Sequence, residues 1–207
     1  KTTNLKYKDG DVPFIEFPSS NTHELLVFTN KSQVYKCKVA QFEDTKSAQL
    51  GSYLPTDLEM EPDESVIWVI DPEDYKADVL FIFENGRVAR VALAGYATKT
   101  NRKRLKNAIY GGAKLLYAQV LKDERDIALV SSDFRLMNFN TSLVKTKAST
   151  STQGIQAFTN KKGRTVTTVG KAEDILGAGV PTERFCAQSL PCAGALMKEN
   201  DMPSLFD

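Results

Sequence analysis

Three copies of one short pattern recur along the chain, and this repetition constrains the fold more than any other feature of the sequence. The copies begin at Glu24, Asp78 and Asp126, and they align without gaps over twelve residues each. Every copy starts with an acid, continues as an apolar run, turns through polar residues and ends in a second alternating run. Alternation with a period of two on both sides of a turn predicts a β-hairpin, so we expect three hairpins in the chain.

Each predicted hairpin is followed by two further strand candidates. The turns fall at residues 29–32, 84–86 and 132–134, which contain residue types that tolerate a tight backbone. The additional candidates lie at residues 54–60 and 65–70, at 108–110 and 114–121, and at 155–159 and 164–169. Four strands in each repeat predict the blades of an all-β, propeller-like fold. The alternative is a β-sandwich whose hairpins resemble one another by chance.

The two ends of the chain offer strands for one more blade. Residues 12–17 alternate, and residues 185–190 and 193–197 are expected to form a hairpin around Pro191. Joining these terminal strands would close a ring and remove exposed sheet edges, giving about four blades of four-stranded antiparallel sheet. We therefore expect a single domain over residues 1–198, with repeats near 23–75, 78–125 and 126–171, and a tail at 199–207.

Charge is distributed unevenly, although the net charge of the chain is only +1. Residues 41–84 hold twelve acids and two bases, whereas residues 99–171 hold fifteen bases and four acids. A basic half of this size is typical of a protein that binds a polyanion.

The strongest cationic run lies between strand candidates of the second repeat. It places five cations within residues 99–106, and the third repeat has two lysines in the equivalent connection. Stacked blades would bring these connections to one rim, where they would contact phosphates and not bases. The alternative is a set of loops that only favour solubility. The predicted DNA-binding residues are Lys99, Arg102, Lys103, Arg104, Lys106, Lys145, Lys147, Lys161, Lys162 and Arg164.

No motif for catalysis or metal binding emerges. His23 is the only histidine, and it precedes the first strand in a polar turn. The acids of residues 71–74 lack the spacing of a calcium loop, and Gly111 and Gly112 are not followed by the Lys-Ser/Thr of a phosphate loop.

Three cysteines without a paired motif predict free thiols and a reducing cytoplasm. Tyr35, Phe81, Phe83 and Phe139 occupy strand positions and are expected in the core.

The repeats resemble the C-terminal repeats of the A subunits of DNA gyrase and topoisomerase IV. The resemblance rests on residues 25–39 (LLVFTNKSQVYKCKV), residues 83–90 (FENGRVAR) and residues 152–155 (TQGI), and it covers roughly residues 10–197. It implies a β-pinwheel, a relative of the propeller whose blades exchange a strand and whose basic rim bends duplex DNA.

The resemblance also implies partners and cofactors. In that family an N-terminal region of the same subunit cleaves DNA through a tyrosine, and a separate B-type subunit hydrolyses ATP. The chain alone would then have no catalytic or metal site and no cofactor, while the full enzyme would use ATP and magnesium. A cytoplasmic, nucleoid-associated location in bacteria is implied as well. Since the sequence begins with Lys1 and not with methionine, we expect a piece of a longer protein.

One departure from the family bears on the type of enzyme. Gyrase A subunits carry a box of the type Gln-Arg-Arg-Gly-Gly-Arg-Gly in their first blade, and the corresponding residues 45–51 contain no arginine. This difference favours a role similar to topoisomerase IV or to a diverged gyrase, and it leaves open whether supercoils are introduced.

Two other classes of function and one feature of the tail complete the sequence-based expectations. A propeller that serves as a protein-interaction platform, docking through its acidic first repeat, is the alternative to DNA binding. A propeller hydrolase is disfavoured because the one histidine and the acids do not converge.

Leu205 and Phe206 near the end are expected to fold back onto the domain; a second interpretation is docking on the sliding clamp of replication. No apolar run is long enough for a membrane-spanning helix.

Overall fold

Three β-sheets make up most of the ordered secondary structure. The computed structural model describes residues 13–45, 49–98, 102–159 and 161–203, and for Lys162 the backbone only. The strands are β1 (Glu24–Thr29), β2 (Val34–Lys38), β3 (Val66–Ile70), β4 (Asp78–Phe83), β5 (Arg87–Ala92), β6 (Arg104–Leu105), β7 (Leu115–Leu121), β8 (Asp126–Ser131), β9 (Arg135–Asn140), β10 (Thr146–Lys147), β11 (Ile155–Gln156), β12 (Val166–Gly170), β13 (Cys186–Ala187) and β14 (Ala195–Leu196). The helices are α1 (Leu54–Asp57) and α2 (Ala172–Ile175), and 3-10 turns occur at Val39–Gln41, Leu93–Tyr96, Thr141–Leu143, Lys161–Gly163, Glu183–Phe185 and Glu199–Asp201.

The three predicted hairpins are confirmed. They are β1–β2, β4–β5 and β8–β9, each paired antiparallel. The same turn position has a left-handed backbone in all three, with φ of 57° at Ser32, 78° at Gly86 and 58° at Phe134. Glycine adopts this conformation without cost, whereas a phenylalanine does so only where the surrounding structure holds it.

Each sheet takes its last strands from a later part of the chain: blades A and B from the following repeat, and blade C from the segment after the third repeat. Blade A consists of β1, β2, β3 and β6; blade B of β4, β5, β7, β10 and β11; blade C of β8, β9, β12, β13 and β14. β6 pairs with β2 although it follows the hairpin of blade B, and β10 and β11 pair with β5 although they follow the hairpin of blade C. This strand exchange is the pinwheel arrangement that the family resemblance implies.

A backbone hydrogen bond fixes each exchanged segment to the turn of the blade that it joins. The carbonyl oxygen of the left-handed turn residue accepts in every case: Ser32 from Ala108 N at 2.9 Å, Gly86 from Phe158 N at 3.0 Å, and Phe134 from Met197 N at 2.9 Å. The repetition in sequence therefore extends to the contacts that link one repeat to the next.

The blades stack through their apolar faces. Leu26 and Phe28 of blade A pack on Phe81 of blade B, and the opposite face of blade B, including Leu80, packs on Leu129 of blade C. The predicted core aromatics Tyr35, Phe81, Phe83 and Phe139 are all buried, as expected. Full burial of side chains of this size contributes about 1.5–3 kcal/mol each.

Both end faces of the stack are covered by the chain itself. Val27, Tyr35 and Cys37 on the free face of blade A lie against Leu54 and Leu58. The free face of blade C is covered by apolar side chains from α2 and the segments that follow, namely Ala172, Leu176, Phe185 and Met197.

The predicted blade count and ring closure were wrong for the part of the chain that the structure describes. It contains three sheets and not about four, because the C-terminal strands β13 and β14 both pair with β9 instead of with each other or with the N-terminus. Residues 13–17 form no strand, and Phe14 instead stacks edge-on against Trp68 at 5.4 Å. Since the described residues cap both end faces, they leave no apolar end face for closure.

Two local strand predictions were also wrong. Residues 54–60 contain helix α1, because Pro55 cannot donate to a sheet but fits the first turn of a helix. Residues 108–110 form an irregular segment that places Ala108 and Ile109 in the core between blades A and B. The extent of the single domain, residues 1–198, stays a prediction.

Candidate nucleic-acid interface

The exchanged segments lie at one edge of the blades, which we call the outer rim: strands β6, β10, β11, β13 and β14 and the residues that lead into them. The opposite edges are formed by β3, β7 and β12. These inner strands approach one another, since the rings of Trp68 on β3 and Tyr117 on β7 are 5.7 Å apart. The rim therefore faces away from the centre of the stack.

Five of the predicted DNA-binding residues are exposed on the rims of two neighbouring blades. Blade A presents Arg102, Lys103 and Lys106, which flank Arg104, and blade B presents Lys145 and Lys147 around β10. The ion pairs between described residues include none of these five cations. Their charge is therefore available to a partner.

Two predicted residues, Arg104 and Arg164, are instead engaged within the protein. Arg104 Nη1 lies 2.9 Å from Glu61 Oε1, and the side chain is about one-third exposed. Arg164 Nη2 lies 2.7 Å from Asp133 Oδ2, and Nη1 donates to the carbonyl oxygen of Thr159 at 3.2 Å. Only 11% of the Arg164 side chain is exposed, so a phosphate contact there would have to replace these bonds.

The remaining predicted residues lie elsewhere or outside the described structure. Lys161 is exposed in the connection from β11 on blade B to β12 on blade C, away from β10. The side chain of Lys162, together with Lys99, Leu205 and Phe206, falls outside the described residues. The segment that precedes the last two does fold back, because Gly177 N donates to the carbonyl oxygen of Asp201 at 2.8 Å.

Sequence reasoning missed a charged contact that recurs on the hairpins, beside the rim strands. Lys36 Nζ lies 3.0 Å from Glu24 Oε2 in blade A, and Arg90 Nε lies 2.7 Å from Asp78 Oδ2 in blade B. The sequence does contain a pattern that predicts this contact, since an acid opens each of the first two repeats and a base follows it twelve residues later. In the third repeat the base is replaced by Asn138.

A threonine from the exchanged segment completes both of these contacts. Lys36 Nζ donates to Thr98 Oγ1 at 3.1 Å, and Thr146 Oγ1 donates to Asp78 Oδ2 at 2.7 Å. The same acid–base pair that links the hairpin strands thus also holds the rim strand of blades A and B.

The acidic repeat surrounds a buried carboxylate, Glu64. It accepts hydrogen bonds from Tyr35 OH at 2.8 Å, from Glu61 N at 3.0 Å and from Thr29 Oγ1. Burial alone would raise the pKa of Glu64, but these hydrogen bonds outweigh it and lower the pKa. Most other acids of residues 41–84 are exposed on the connections around blade A.

The single histidine is bound in a structural contact. His23 Nδ1 lies 2.7 Å from Asp71 Oδ2, and Ser19 Oγ donates to that same oxygen at 2.6 Å. A serine nucleophile requires the histidine as its base, but here both side chains bond to the carboxylate. Within the described ranges, no cluster of three or more His, Cys, Asp or Glu side chains is arranged for a metal ion, and no helix could cross a membrane.

Comparison with known proteins agrees with the resemblance drawn from the repeats. The chain is 24% identical over 143 residues to the A subunit of DNA topoisomerase 4 from Staphylococcus aureus (strain MRSA252), an alignment that covers 67% of this chain and 18% of that protein. The chain thus corresponds to a small part of the curated relatives that it matches. No family model matches the chain.

Solved structures show the same fold. A crystal structure of the C-terminal domain of DNA topoisomerase IV aligns with a TM-score of 0.66 at 22% identity, covering 80% of this chain and 52% of that one. The E. coli ParC C-terminal domain gives a TM-score of 0.60 at 14% identity, covering 80% and 69%. The DNA gyrase A C-terminal domain gives 0.56 at 13% identity, covering 89% and 64%.

These similarities confirm the predicted resemblance and the predicted fold class. The alignments cover between 52% and 69% of the matched structures. The homologues of this chain are therefore A subunits of topoisomerase IV, and its fold is the β-pinwheel fold of the C-terminal domains of type IIA topoisomerases.

Proposed function

We propose that the chain is a duplex-DNA-binding module of a type IIA topoisomerase, which bends a DNA segment and positions it for strand passage by the rest of the enzyme. By itself it performs no catalysis. Its proposed partners are the cleavage region of the same polypeptide and a B-type subunit that hydrolyses ATP. ATP and magnesium act in those regions and not in this one.

The observation that carries this proposal is the alignment of exposed cations on one rim. Arg102, Lys103 and Lys106 on blade A and Lys145 and Lys147 on blade B occupy exchanged segments at the same edge of adjacent sheets. Packed sheets lie about 10 Å apart, so the two groups of cations are close enough to contact the backbone of the same duplex. Phosphate contacts of this kind favour DNA without reading its sequence.

The test is duplex binding measured by fluorescence anisotropy from about 50 to 200 mM salt. A triple variant of the rim, Lys103→Ala, Lys106→Ala and Lys147→Ala, is expected to bind more weakly. The slope of log K against log salt should fall by about 0.9 for each phosphate contact that the substitutions remove.

Three lysines that follow the inner strands provide a control matched in net charge, although Lys76 pairs with Asp74 and Lys122 pairs with Glu73. Lys76 follows β3, Lys122 follows β7 and Lys171 follows β12, and all three are exposed. Replacing them by alanine changes the net charge by the same amount but leaves the rim intact. Equal loss of affinity in both triple variants, or binding that does not depend on salt, would contradict the proposal and favour a protein-interaction platform.

A further inference from the structure

A notch in the rim of blade A gathers four cations around one acid. Lys36, Lys38, Arg102 and Lys103 line a cavity of about 320 Å³, together with Glu24. The strand pairing of Glu24 with Lys38 places one wall on the hairpin, and the exchanged segment supplies Arg102 and Lys103 as the other. Strand exchange therefore builds the notch from two repeats.

The acid in this notch is already neutralised from inside. Lys36 is buried and its ammonium lies 3.0 Å from Glu24, whose carboxylate also accepts a hydrogen bond from Tyr75 OH. Lys38, Arg102 and Lys103 have no ion-pair partner among the described residues. The notch thus presents three uncompensated positive charges at one point.

The same notch recurs in blade C without its cations. There Asp126, Asn138 and Asn140 take the positions of Glu24, Lys36 and Lys38, around a cavity of about 240 Å³. Among the described residues that line it, Asp126 is the only charged one.

Blade B has its own cation at this position, but it is fully engaged. Arg90 Nε lies 2.7 Å from Asp78 and its Nη1 lies 2.8 Å from Glu124, while Ala92 stands where blade A has Lys38. At the hairpin position that Lys38, Ala92 and Asn140 occupy in the three blades, blade A alone presents a cation, whereas the available cations of blade B, Lys145 and Lys147, lie on its exchanged strand.

We infer that the blade A notch is the site that anchors a backbone phosphate of duplex DNA, and that Lys38 is one of its ligands. The inference rests on the proposed DNA-binding function and specifies where the duplex is held. Phosphate oxygens accept hydrogen bonds from ammonium and guanidinium groups, and the planar fork of Arg102 can donate two of them in parallel. The lack of cations in the blade C notch means that the duplex is not held there.

The test exchanges one residue between the two notches. Lys38→Asn gives blade A the residue of blade C, and Asn140→Lys gives blade C the residue of blade A. Both positions precede a 3-10 turn, and the Asn140 side chain accepts from Ser142 N at 3.1 Å, so asparagine suits the fold at position 38. Thermal melting of Lys38→Asn should match the unaltered chain, whereas Asn140→Lys should melt at a lower temperature because it loses the hydrogen bonds of Asn140 to Ser142 N and to Asp126 Oδ1.

Lys38→Asn is expected to weaken duplex binding roughly fivefold at about 0.15 M salt and to reduce the salt slope by about 0.9, the effect of removing one phosphate ligand. Asn140→Lys should change affinity much less, because the rest of its notch has no cations. Inorganic phosphate added at constant ionic strength should not displace the duplex.

Each of the other possible results contradicts a specific part of the proposal. If Lys38→Asn binds like the unaltered chain while Lys145→Ala with Lys147→Ala binds more weakly, the rim binds DNA but the notch does not anchor it. If Asn140→Lys strengthens binding as much as Lys38→Asn weakens it, charge acts without regard to position. Competition by inorganic phosphate would show a site for small anions. If the unaltered chain shows no salt-dependent duplex binding, the proposed function itself fails.

Discussion

Thr146 donates a hydrogen bond of 2.7 Å to Asp78 Oδ2, the same oxygen that pairs with Arg90 Nε. The threonine belongs to the third repeat and the aspartate to the second, so this contact holds an exchanged strand of only two residues in place. Asp78, the acid that opens the second repeat, therefore has a structural role that its position at a strand end does not suggest.

Thr146→Val should loosen β10 from blade B. Removing the hydroxyl leaves Asp78 with one donor fewer, and we expect a loss of about 1 kcal/mol in the free energy of unfolding. Urea denaturation followed by circular dichroism measures this loss. Ser149→Ala alters an exposed hydroxyl in the same connection and should change stability little; equal effects of the two changes would argue against the contact.

Arg164→Ala should affect stability more than DNA binding. Its guanidinium bonds to Asp133 and to the carbonyl oxygen of Thr159, and it is largely buried. Hydrogen bonds of charged groups contribute about 1.5–3 kcal/mol, so we expect a loss in this range. Lys161→Ala, at an exposed position nearby, is the control. Weaker duplex binding with unchanged stability would instead place Arg164 in the interface.

Glu61→Gln should strengthen duplex binding. The change removes the carboxylate that pairs with Arg104 at 2.9 Å and so adds an available cation to the rim of blade A. We expect a gain of up to about fivefold at 0.15 M salt, the contribution of one phosphate contact. Glu59→Gln removes an exposed charge from the same connection without freeing an arginine. An equal gain from both would mean that general repulsion by acids is responsible.

The chain should lose stability in acid through Glu64. Its pKa is lowered in the folded state, so its contribution is fully present above the unfolded value near 4.5 and is lost as the pH falls through the lower, folded value. Denaturation experiments at a series of pH values below about 5 should therefore show a steeper decline for the unaltered chain than for Glu64→Gln. Glu59→Gln should keep the steep decline; if Glu64→Gln keeps it too, other carboxylates are responsible.

Leu58→Ala should uncover Cys37. Leu58 packs over the free face of blade A, where burial and the nearby Glu24 raise the pKa of the Cys37 thiol to about 11. Because Leu58 is only half-buried, truncation should cost about 2 kcal/mol, the lower end for a Leu→Ala change, and should accelerate modification of Cys37 by a thiol reagent. Cys186 is exposed and should react quickly in both proteins. If the rate at Cys37 stays the same, α1 is not the cover of this face.

Alternation in the sequence was sufficient to predict the hairpins and the return strands β3, β7 and β12, because those patterns are local. The exchanged strands were harder to place. β6 and β10 have two residues each, and β6 pairs with Val34 and Tyr35 about 70 residues earlier, so no local period marks it. Helix α1 was missed because the spacing of Leu54 and Leu58 also suits one face of a strand, and only Pro55 argues against it.

The cationic segments could be predicted from composition, but the ion pairs and hydrogen bonds of their side chains could not. Nothing in the sequence near Arg164 shows that Asp133, 31 residues away, takes up its charge. Lys38 was overlooked because it stands apart from the basic run in the sequence, and only folding brings it beside Arg102 and Lys103.

Strand exchange also determines how the stack can come apart. The segment that carries β10 and β11 leaves blade C after β9, completes blade B and then returns to blade C as the inner strand β12. No blade can separate from the stack as one repeat, because each blade contains strands from a later part of the chain as well as from its own repeat. A force applied to the rim of blade A is therefore transmitted to blade B as well, and the stack resists tension as one mechanical unit.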